Sequence, residues 1–184
     1  MSPEELQEAP VVPPPPGSVA DIFTEVLPDI KFQAAQGALD VILTVDRADL
    51  RSVLRAARDD PRLDFRYLRC LSGVDHTEAG LEVVYHLYSY THKHNVTIKT
   101  RLPQDDARLP SATSIWKGAD WHEREAAEMF GIFFEGHPNL VPLLLPEDMT
   151  DHHPLRKDNP LAEIEVWQAE RAGLAAAEAG EAEE

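Results

Sequence analysis

The sequence of 184 residues contains a single cysteine, Cys70. A disulfide needs two cysteines, and an iron–sulfur cluster held by one chain usually needs four thiolates. The chain therefore cannot form an internal disulfide or hold a conventional cluster by itself. Cys70 lies in the mostly apolar stretch 67–71, where we expect a buried structural thiol.

Long apolar runs and an excess of positive charge are also missing. No stretch approaches the roughly 20 apolar residues that cross a bilayer. The N-terminus carries Glu4, Glu5 and Glu8 where a signal peptide has basic and apolar regions. The formal net charge of −16, from 17 basic and 33 acidic side chains, repels phosphate backbones. We expect a cytoplasmic protein that binds no nucleic acid and reaches a membrane only through partners.

The sequence lacks the motifs of common enzyme sites. It has no glycine-rich phosphate loop and no H-E-x-x-H zinc pattern. His92 and His94 share one face of a predicted strand, but no third metal ligand accompanies them. No serine or cysteine nucleophile accompanies the His-Pro dipeptides at 137–138 and 153–154. A free-standing metal-dependent enzyme is therefore the weakest of the alternatives, and we expect no catalytic, cofactor or metal residues in this chain.

The hydrophobic pattern predicts one folded domain over residues 18–131, preceded by a disordered proline-rich arm at 1–17. Ser18 and Asp46 are the expected N-caps of two helices, because apolar residues follow each at helical spacing. Strand-forming segments are predicted at 31–34, 40–45, 63–75, 80–90 and 94–102.

The predicted strand at 80–90 fixes the expected fold class. Leu81, Val83, Tyr85 and Leu87 alternate with a mixed set of side chains, which is typical of an antiparallel strand with one face in the core. Together with the order of elements, this predicts an α+β fold: a mostly antiparallel sheet with helices packed on one face.

Residues after the sheet change in character. A helix is predicted at 118–130, ended by Gly131, with Arg124 and Glu128 paired one turn apart. Residues 132–160 are rich in proline and histidine and are predicted to be an extended, irregular segment with few internal contacts that binds a partner. Residues 161–184, with seven glutamates and one arginine, are predicted to form an acidic helical or disordered tail.

Three short motifs in order resemble the signature of the thirty-kilodalton subunit family of respiratory complex I, the C subunit of NADH-quinone oxidoreductase. Each motif alone is weak, but their order and spacing over about 120–160 make a specific signal. The first motif consists of Glu123, Arg124, Glu125, Glu128, Met129, Phe130 and Gly131; the second of Gly136, His137 and Pro138; the third of His153, Pro154, Leu155, Arg156, Lys157 and Asp158.

The resemblance implies a non-catalytic structural subunit in the peripheral arm of an NADH:quinone oxidoreductase, a complex that couples electron transfer to ion translocation. It implies FMN and iron–sulfur clusters in partner subunits and none in this chain. The expected partners are chiefly the quinone-site (49 kDa-type) and terminal-cluster subunits, on the cytoplasmic side of the cell membrane. Arg156, Lys157 and Asp158 are expected to form charge-assisted bonds with a partner.

The same resemblance is compatible with a subunit of a different enzyme complex. An equivalent subunit occurs in membrane-bound hydrogenases, formate hydrogenlyase and quinone dehydrogenases that use another electron donor. The motifs do not distinguish these complexes from one another.

Overall fold

Five strands form the central sheet of the computed structural model, which describes residues 12–146, 149 and 152–159. The predicted acidic tail at 161–184 lies outside the described residues. The elements, in chain order, are α1 (Val19–Val26), β1 (Phe32–Gln36), β2 (Val41–Val45), α2 (Leu50–Asp59), β3 (Tyr67–Asp75), a 3₁₀ turn (Thr77–Ala79), β4 (Leu81–Ser89), β5 (His94–Leu102), β6 (Arg108–Pro110), α3 (Ala119–Phe130) and β7 (Phe133–Glu135).

The strand order is β1-β2-β5-β4-β3, and only the β2–β5 pair is parallel in this sheet. A parallel pair requires a long crossover connection, which α2 and the β3–β4 hairpin provide. The other three pairs are antiparallel, so the predicted mostly antiparallel α+β fold is confirmed.

The apolar face of the sheet forms the core. In β4, Leu81, Val83, Tyr85 and Leu87 are fully buried, as their alternation predicts. They join apolar residues of all three helices in one continuous cluster that includes Phe23 of α1, Leu50 and Leu54 of α2 and Ala126 of α3. The core thus lies between this face of the sheet and the helices.

The opposite face of β4 is mixed and carries Glu82 and His86 as well as Val84 and Tyr88. Glu82 is only 4% exposed, and the cations Lys99 Nζ and Arg101 Nε of β5 lie 3.4 Å and 3.5 Å from its carboxylate. Nearly buried carboxylates require such partners, because an unpaired buried charge costs several kcal/mol. The Glu82 carboxylate can therefore be buried on this face, which remains separate from the apolar core.

Of the two predicted helix starts, that at Ser18 is confirmed in position and that at Asp46 needs correction. Asp46 does not cap α2, which begins at Leu50 after Asp49; its Oδ1 instead accepts a hydrogen bond from the Ala48 amide at 2.9 Å in the preceding turn. Ser18 stands at the N-cap position of α1, but its hydroxyl bonds no helix amide. Asp and Ser favour turns as well as caps, so composition alone does not separate the two roles.

The predicted limits of the folded part are also too narrow. Residues 1–11 of the predicted arm lie outside the described residues, but Val12 O accepts a hydrogen bond from the Gln36 amide of β1 at 2.7 Å. At the other end, β7 pairs with β6 in parallel, and both Ile132 and Phe134 are 1% exposed. The expectation of few internal contacts after Gly131 is therefore wrong for the first residues of that segment.

Helix α3 packs closely on β3 at Gly73. An ideal Cβ on Gly73 would lie 2.5 Å from Phe130 Cδ2 and 2.8 Å from its Cγ, well inside van der Waals contact. Phe130 itself is partly buried against the core. A side chain at position 73 would therefore displace the end of α3 that carries the first motif.

We predict that Gly73→Ala lowers the free energy of unfolding by about 1–3 kcal/mol, because the added methyl overpacks this contact. Urea denaturation of the wild-type and variant chains measures the loss. A double variant, Gly73→Ala/Phe130→Leu, should lose less than the sum of the two single variants, because the smaller side chain relieves the clash. Additive losses would contradict the contact.

Candidate functional site

Helix α3 presents the first motif to three different environments. Glu123 is fully buried, Arg124 and Glu128 point toward residues 140–145, and Glu125 is exposed. Positions 124 and 128 share a side of the helix because they are four residues apart. The motif therefore distributes its charged groups around the helix instead of gathering them at one point.

Glu123 is held by the segment before α3. Its Oε2 accepts a hydrogen bond from the Ser111 hydroxyl and its Oε1 accepts one from the Ala112 amide, both at 2.6 Å. Burial raises the pKa of Glu123 to about 7, since removal from water disfavours the charged carboxylate. Burial also raises the pKa of Tyr85 well above its ordinary value, and the charge of Glu123 adds to this effect.

His137, in the second motif, lies beside this buried acid. Its side chain is fully buried, and its Nδ1 accepts a hydrogen bond from the Asn139 amide at 3.0 Å. The ring proton of the neutral form is therefore on Nε2, which donates to the Asp120 carbonyl at 3.2 Å and lies 4.0 Å from Glu123 Oε2. The second motif thus fastens the chain to the first turn of α3.

Arg124 and Glu128 bind the backbone of residues 141–145. The Arg124 guanidinium donates to the carbonyls of Val141 and Pro142, at 2.9 and 2.8 Å. The Glu128 carboxylate accepts from the amides of residues 143, 144 and 145, at 2.8, 2.9 and 3.3 Å. Both side chains thus bond to the segment that follows α3. They do not form the predicted pair with each other.

The third motif closes the C-terminal end of α3. The last four carbonyls of a helix have no partner within it. Here the Ala127 carbonyl accepts from the Gly131 amide at 2.8 Å, Glu128 O from His153 Nδ1 at 2.9 Å, and Met129 O from the Leu155 amide at 3.2 Å. Arg156 Nε donates to the fourth, Phe130 O, at 2.7 Å. The sequence predicts that Arg156 bonds a partner, whereas this donor is used within the chain.

Gly131 makes this closure possible. Its φ of +71° is left-handed, and an ideal Cβ there would lie 2.6 Å from both His153 Nε2 and an Arg156 guanidinium nitrogen. Only glycine combines this backbone conformation with the required space at low cost. The first and third motifs are therefore two halves of one structural unit.

Lys157 and Asp158 differ from Arg156. The Lys157 amide donates to Asp75 Oδ2 at 2.8 Å, at the end of β3, but both residues of the motif are exposed. Their side chains face solvent, and their expected bonds to a partner remain a prediction. Glu125, also in the first motif, is exposed in the same way.

Large apolar side chains are exposed around the same helix. Trp121 is 66% exposed, Leu144 61%, Leu155 53% and Val141 45%. Hydrogen bonds between α3 and the backbone of Val141, Leu144 and Leu155 place these three residues alongside the helix. We call these four residues the α3 surface. Such a group of exposed apolar side chains is typical of a protein interface.

The described residues show no metal or membrane site. Among residues 12–146, 149 and 152–159, no group of three His, Cys, Asp or Glu side chains is placed to hold a metal ion. His92 and His94 each contact a backbone carbonyl, that of Pro61 and that of Leu63. Within the same residues, no helix has the length and apolar character needed to cross a membrane.

Comparison with known proteins relates this arrangement to one family. The family model for the "Respiratory-chain NADH dehydrogenase, 30 Kd subunit" matches residues 43–165. The C subunit of NADH-quinone oxidoreductase from Roseiflexus sp. (strain RS-1) is 42% identical over 151 residues, or 81% of this chain and 86% of that protein. The chain belongs to this family. The predicted resemblance is therefore confirmed.

Further relatives agree with this membership. The C subunit from Chloroherpeton thalassium is 46% identical over 123 residues, 66% of this chain and 51% of that longer protein. A solved trypsin-resistant fragment (1–134) of Nqo5 has a TM-score of 0.57 and 24% identity over 66% of this chain and 98% of the fragment, which shows a shared fold. A chain of an archaeal membrane-bound sulfane sulfur reductase has a TM-score of 0.68 and 26% identity over 79% of this chain and 86% of its own length.

Two structural roles of the family's motifs were not visible in the sequence. Glu123 occupies an inward position that an apolar side chain would normally fill, and its partners at 111 and 112 lie before the helix. The bonds that His153 and Arg156 make to the end of α3 join residues that are far apart along the chain. No local pattern signals either contact, although the left-handed tendency of Gly131 does mark where the helix ends.

We predict that Glu123 makes stability fall as the pH rises. Its folded pKa of about 7 exceeds its ordinary value of 4.5, so its contribution is fully present below pH 4.5 and is lost as the pH rises through 7. The loss amounts to at most about 3 kcal/mol, at 1.36 kcal/mol per pKa unit. Glu123→Gln, which keeps the shape but does not ionise, should remove this part of the pH dependence.

Urea denaturation at pH 5 and pH 8 measures this effect as the difference between the wild-type chain and the variant. Glu125→Gln is the matched control, because Glu125 is exposed on the same helix. An equal pH dependence for the wild-type chain and Glu123→Gln would contradict the assignment.

We predict that Glu128→Ala opens residues 143–145, because three amides lose their acceptor. Hydrogen bonds to a charged group contribute about 1.5–3 kcal/mol each, so amide exchange there should accelerate by about ten- to a hundredfold. Hydrogen exchange read by mass spectrometry measures the change, with Glu125→Ala as control. Unchanged exchange in Glu128→Ala at 143–145 would show that the carboxylate does not hold this segment.

Proposed function

We propose that this chain is a non-catalytic structural subunit of a complex I-type NADH:quinone oxidoreductase, the enzyme complex for which its curated relatives are named. The observation that carries the proposal is the use made of the motif residues. Their polar groups bond within the chain, while large apolar side chains remain exposed beside them. This pattern suits a docking element better than a reaction centre.

The chemistry of the motif residues supports a non-catalytic role. A general acid or base must reach its substrate, and a nucleophile needs a base beside it. The side chains of Glu123 and His137 are both fully buried, and Glu128 already accepts three backbone hydrogen bonds. Cys70 is the sole cysteine, so we assign the iron–sulfur clusters of the complex to partner subunits. We assign FMN to a partner subunit from the family resemblance alone.

The α3 surface is the proposed docking site. Exposed aromatic and aliphatic residues at the centre of an interface supply most of its binding energy, and Trp121 is positioned on α3 for this role. Lys157 and Asp158 add charged groups at its margin. We assign the quinone-site (49 kDa-type) subunit, together with the terminal-cluster subunit, as the partners on the cytoplasmic side of the membrane.

Sequence identity favours an NADH-dependent complex over another machine. The curated relatives named as NADH-quinone oxidoreductase subunits are 42% and 46% identical to this chain, whereas the chain from the sulfane sulfur reductase is 26% identical. The fold is therefore shared with a complex of a different kind, but the closer sequence likeness is to the NADH-quinone oxidoreductase proteins.

We predict that Trp121→Ser/Leu155→Ser leaves the free chain folded and weakens its incorporation into the complex. Both side chains are more than half exposed, so their loss removes little from the core. Loss of two interface anchors of about 2 kcal/mol each should lower occupancy strongly. Circular dichroism of the free chain, native gels of membranes and NADH-to-quinone turnover measure the three effects.

Leu39→Ser/Tyr67→Ser is the matched control, since both residues are exposed apolar side chains outside the α3 surface. Normal incorporation of the Trp121→Ser/Leu155→Ser chain would refute the docking site. Normal incorporation with lost turnover would instead assign this chain a direct part in the reaction.

A further inference from the structure

Helix α2 carries a row of arginines on an otherwise strongly acidic protein. Arg51, Arg55 and Arg58 are spaced by four and three residues, so they share one face of the helix. The opposite face of α2 is buried in the core. A row of positive charge on a chain of net charge −16 forms a distinct electrostatic feature.

Two of these arginines have no partner. Among the arginines of the described residues, only Arg51 and Arg55 make no hydrogen bond, ion pair or ring contact, and both are exposed. Arg58, by contrast, lies 3.7 Å from Asp59. The two unpaired charges therefore lie about one turn apart on the same face of α2.

Arg51 and Arg55 line a groove of about 640 Å³ between α2 and the end of α1. Val26, Leu27 and Ala56 give the groove apolar walls, and Asp59 closes one end. An occupant that matches these walls and cations needs apolar side chains interleaved with carboxylates.

We propose that this groove binds the chain's own acidic segment, residues 160–184. The segment combines seven glutamates and one arginine with Leu161, Ile164, Trp167 and Leu174. These four apolar residues are spaced three or seven positions apart, which is typical of one face of a helix. Its glutamates match Arg51 and Arg55, and its apolar residues match the groove walls.

The segment is long enough to reach the groove. The described chain stops at Asn159, near the end of β3, where the Lys157 amide bonds Asp75. Strands β3 and β2 run in the same direction, so the end of β2, from which α2 follows, lies at the same edge of the sheet. The ends of β3 and β2 are three strand spacings apart, about 14 Å. Residues 160–184 add 25 positions, and 25 residues span about 37 Å even at the short rise of a helix, about 1.5 Å per residue.

Paramagnetic relaxation in the full-length chain tests the proposal. A spin label is attached at Ala172→Cys in a Cys70→Ser background, and amide signals are compared with the label active and reduced. We expect the signals of Ser52, Arg55 and Ala56 to lose at least half of their intensity. Arg51→Glu/Arg55→Glu, or about 0.5 M NaCl, should restore them, because the attraction is between exposed charges.

Lys93→Glu/Lys117→Glu is the control, as it changes the net charge equally on exposed residues away from the groove. Persistent broadening in Arg51→Glu/Arg55→Glu, or absence of broadening at the groove, would overturn the proposal. A mixture of isotope-labelled chain without spin label and unlabelled chain with it distinguishes two occupants. Broadening of equal strength in that mixture would assign the groove to the tail of a second copy and refute the intramolecular contact.

Discussion

The C-terminal end of α3 is the constraint on which the rest of the site depends. Four backbone carbonyls must find donors there, and each costs roughly 1–3 kcal/mol if buried without one. Gly131, His153, Leu155 and Arg156 supply the four donors. Because three of these donors come from the distant segment 153–156, closing the helix also fixes that segment against α3.

The first half of α3 is held through a buried side chain instead of through its backbone carbonyls. There a carboxylic acid is buried, and the protein bonds it with the Ser111 hydroxyl and the Ala112 amide. His137 then packs beside it and bonds the Asp120 carbonyl. A buried acid is costly, so this arrangement specifies position more than it adds stability. The helix is thereby held at both ends by residues that are distant in sequence.

Local sequence patterns predict those structural features that depend on residues close together in the chain. The alternation in β4 gave its buried face, and the helix predicted at 118–130 is observed at Ala119–Phe130, followed by Gly131 in the left-handed conformation. The prediction that Asp46 caps α2 is wrong because an Asx turn and an N-cap use the same side-chain chemistry. Part of the segment after Gly131 escapes prediction because Arg124 donates to its carbonyls and Glu128 accepts from its amides, contacts that leave no hydrophobic periodicity to detect.

These contacts change how the charged motif is understood. A row of Glu, Arg and Glu on a helix suggests groups that act on a partner or substrate, yet Arg124 and Glu128 act on the backbone of the same chain. Their bonds hold Val141 and Leu144 alongside α3, the helix that carries Trp121, and all three side chains are exposed. In the proposed docking role, charge in this motif acts on association through shape, because it determines which apolar side chains are presented. A substitution of Glu128 is expected to disturb the α3 surface through the backbone it holds, even though its own carboxylate faces inward to residues 143–145.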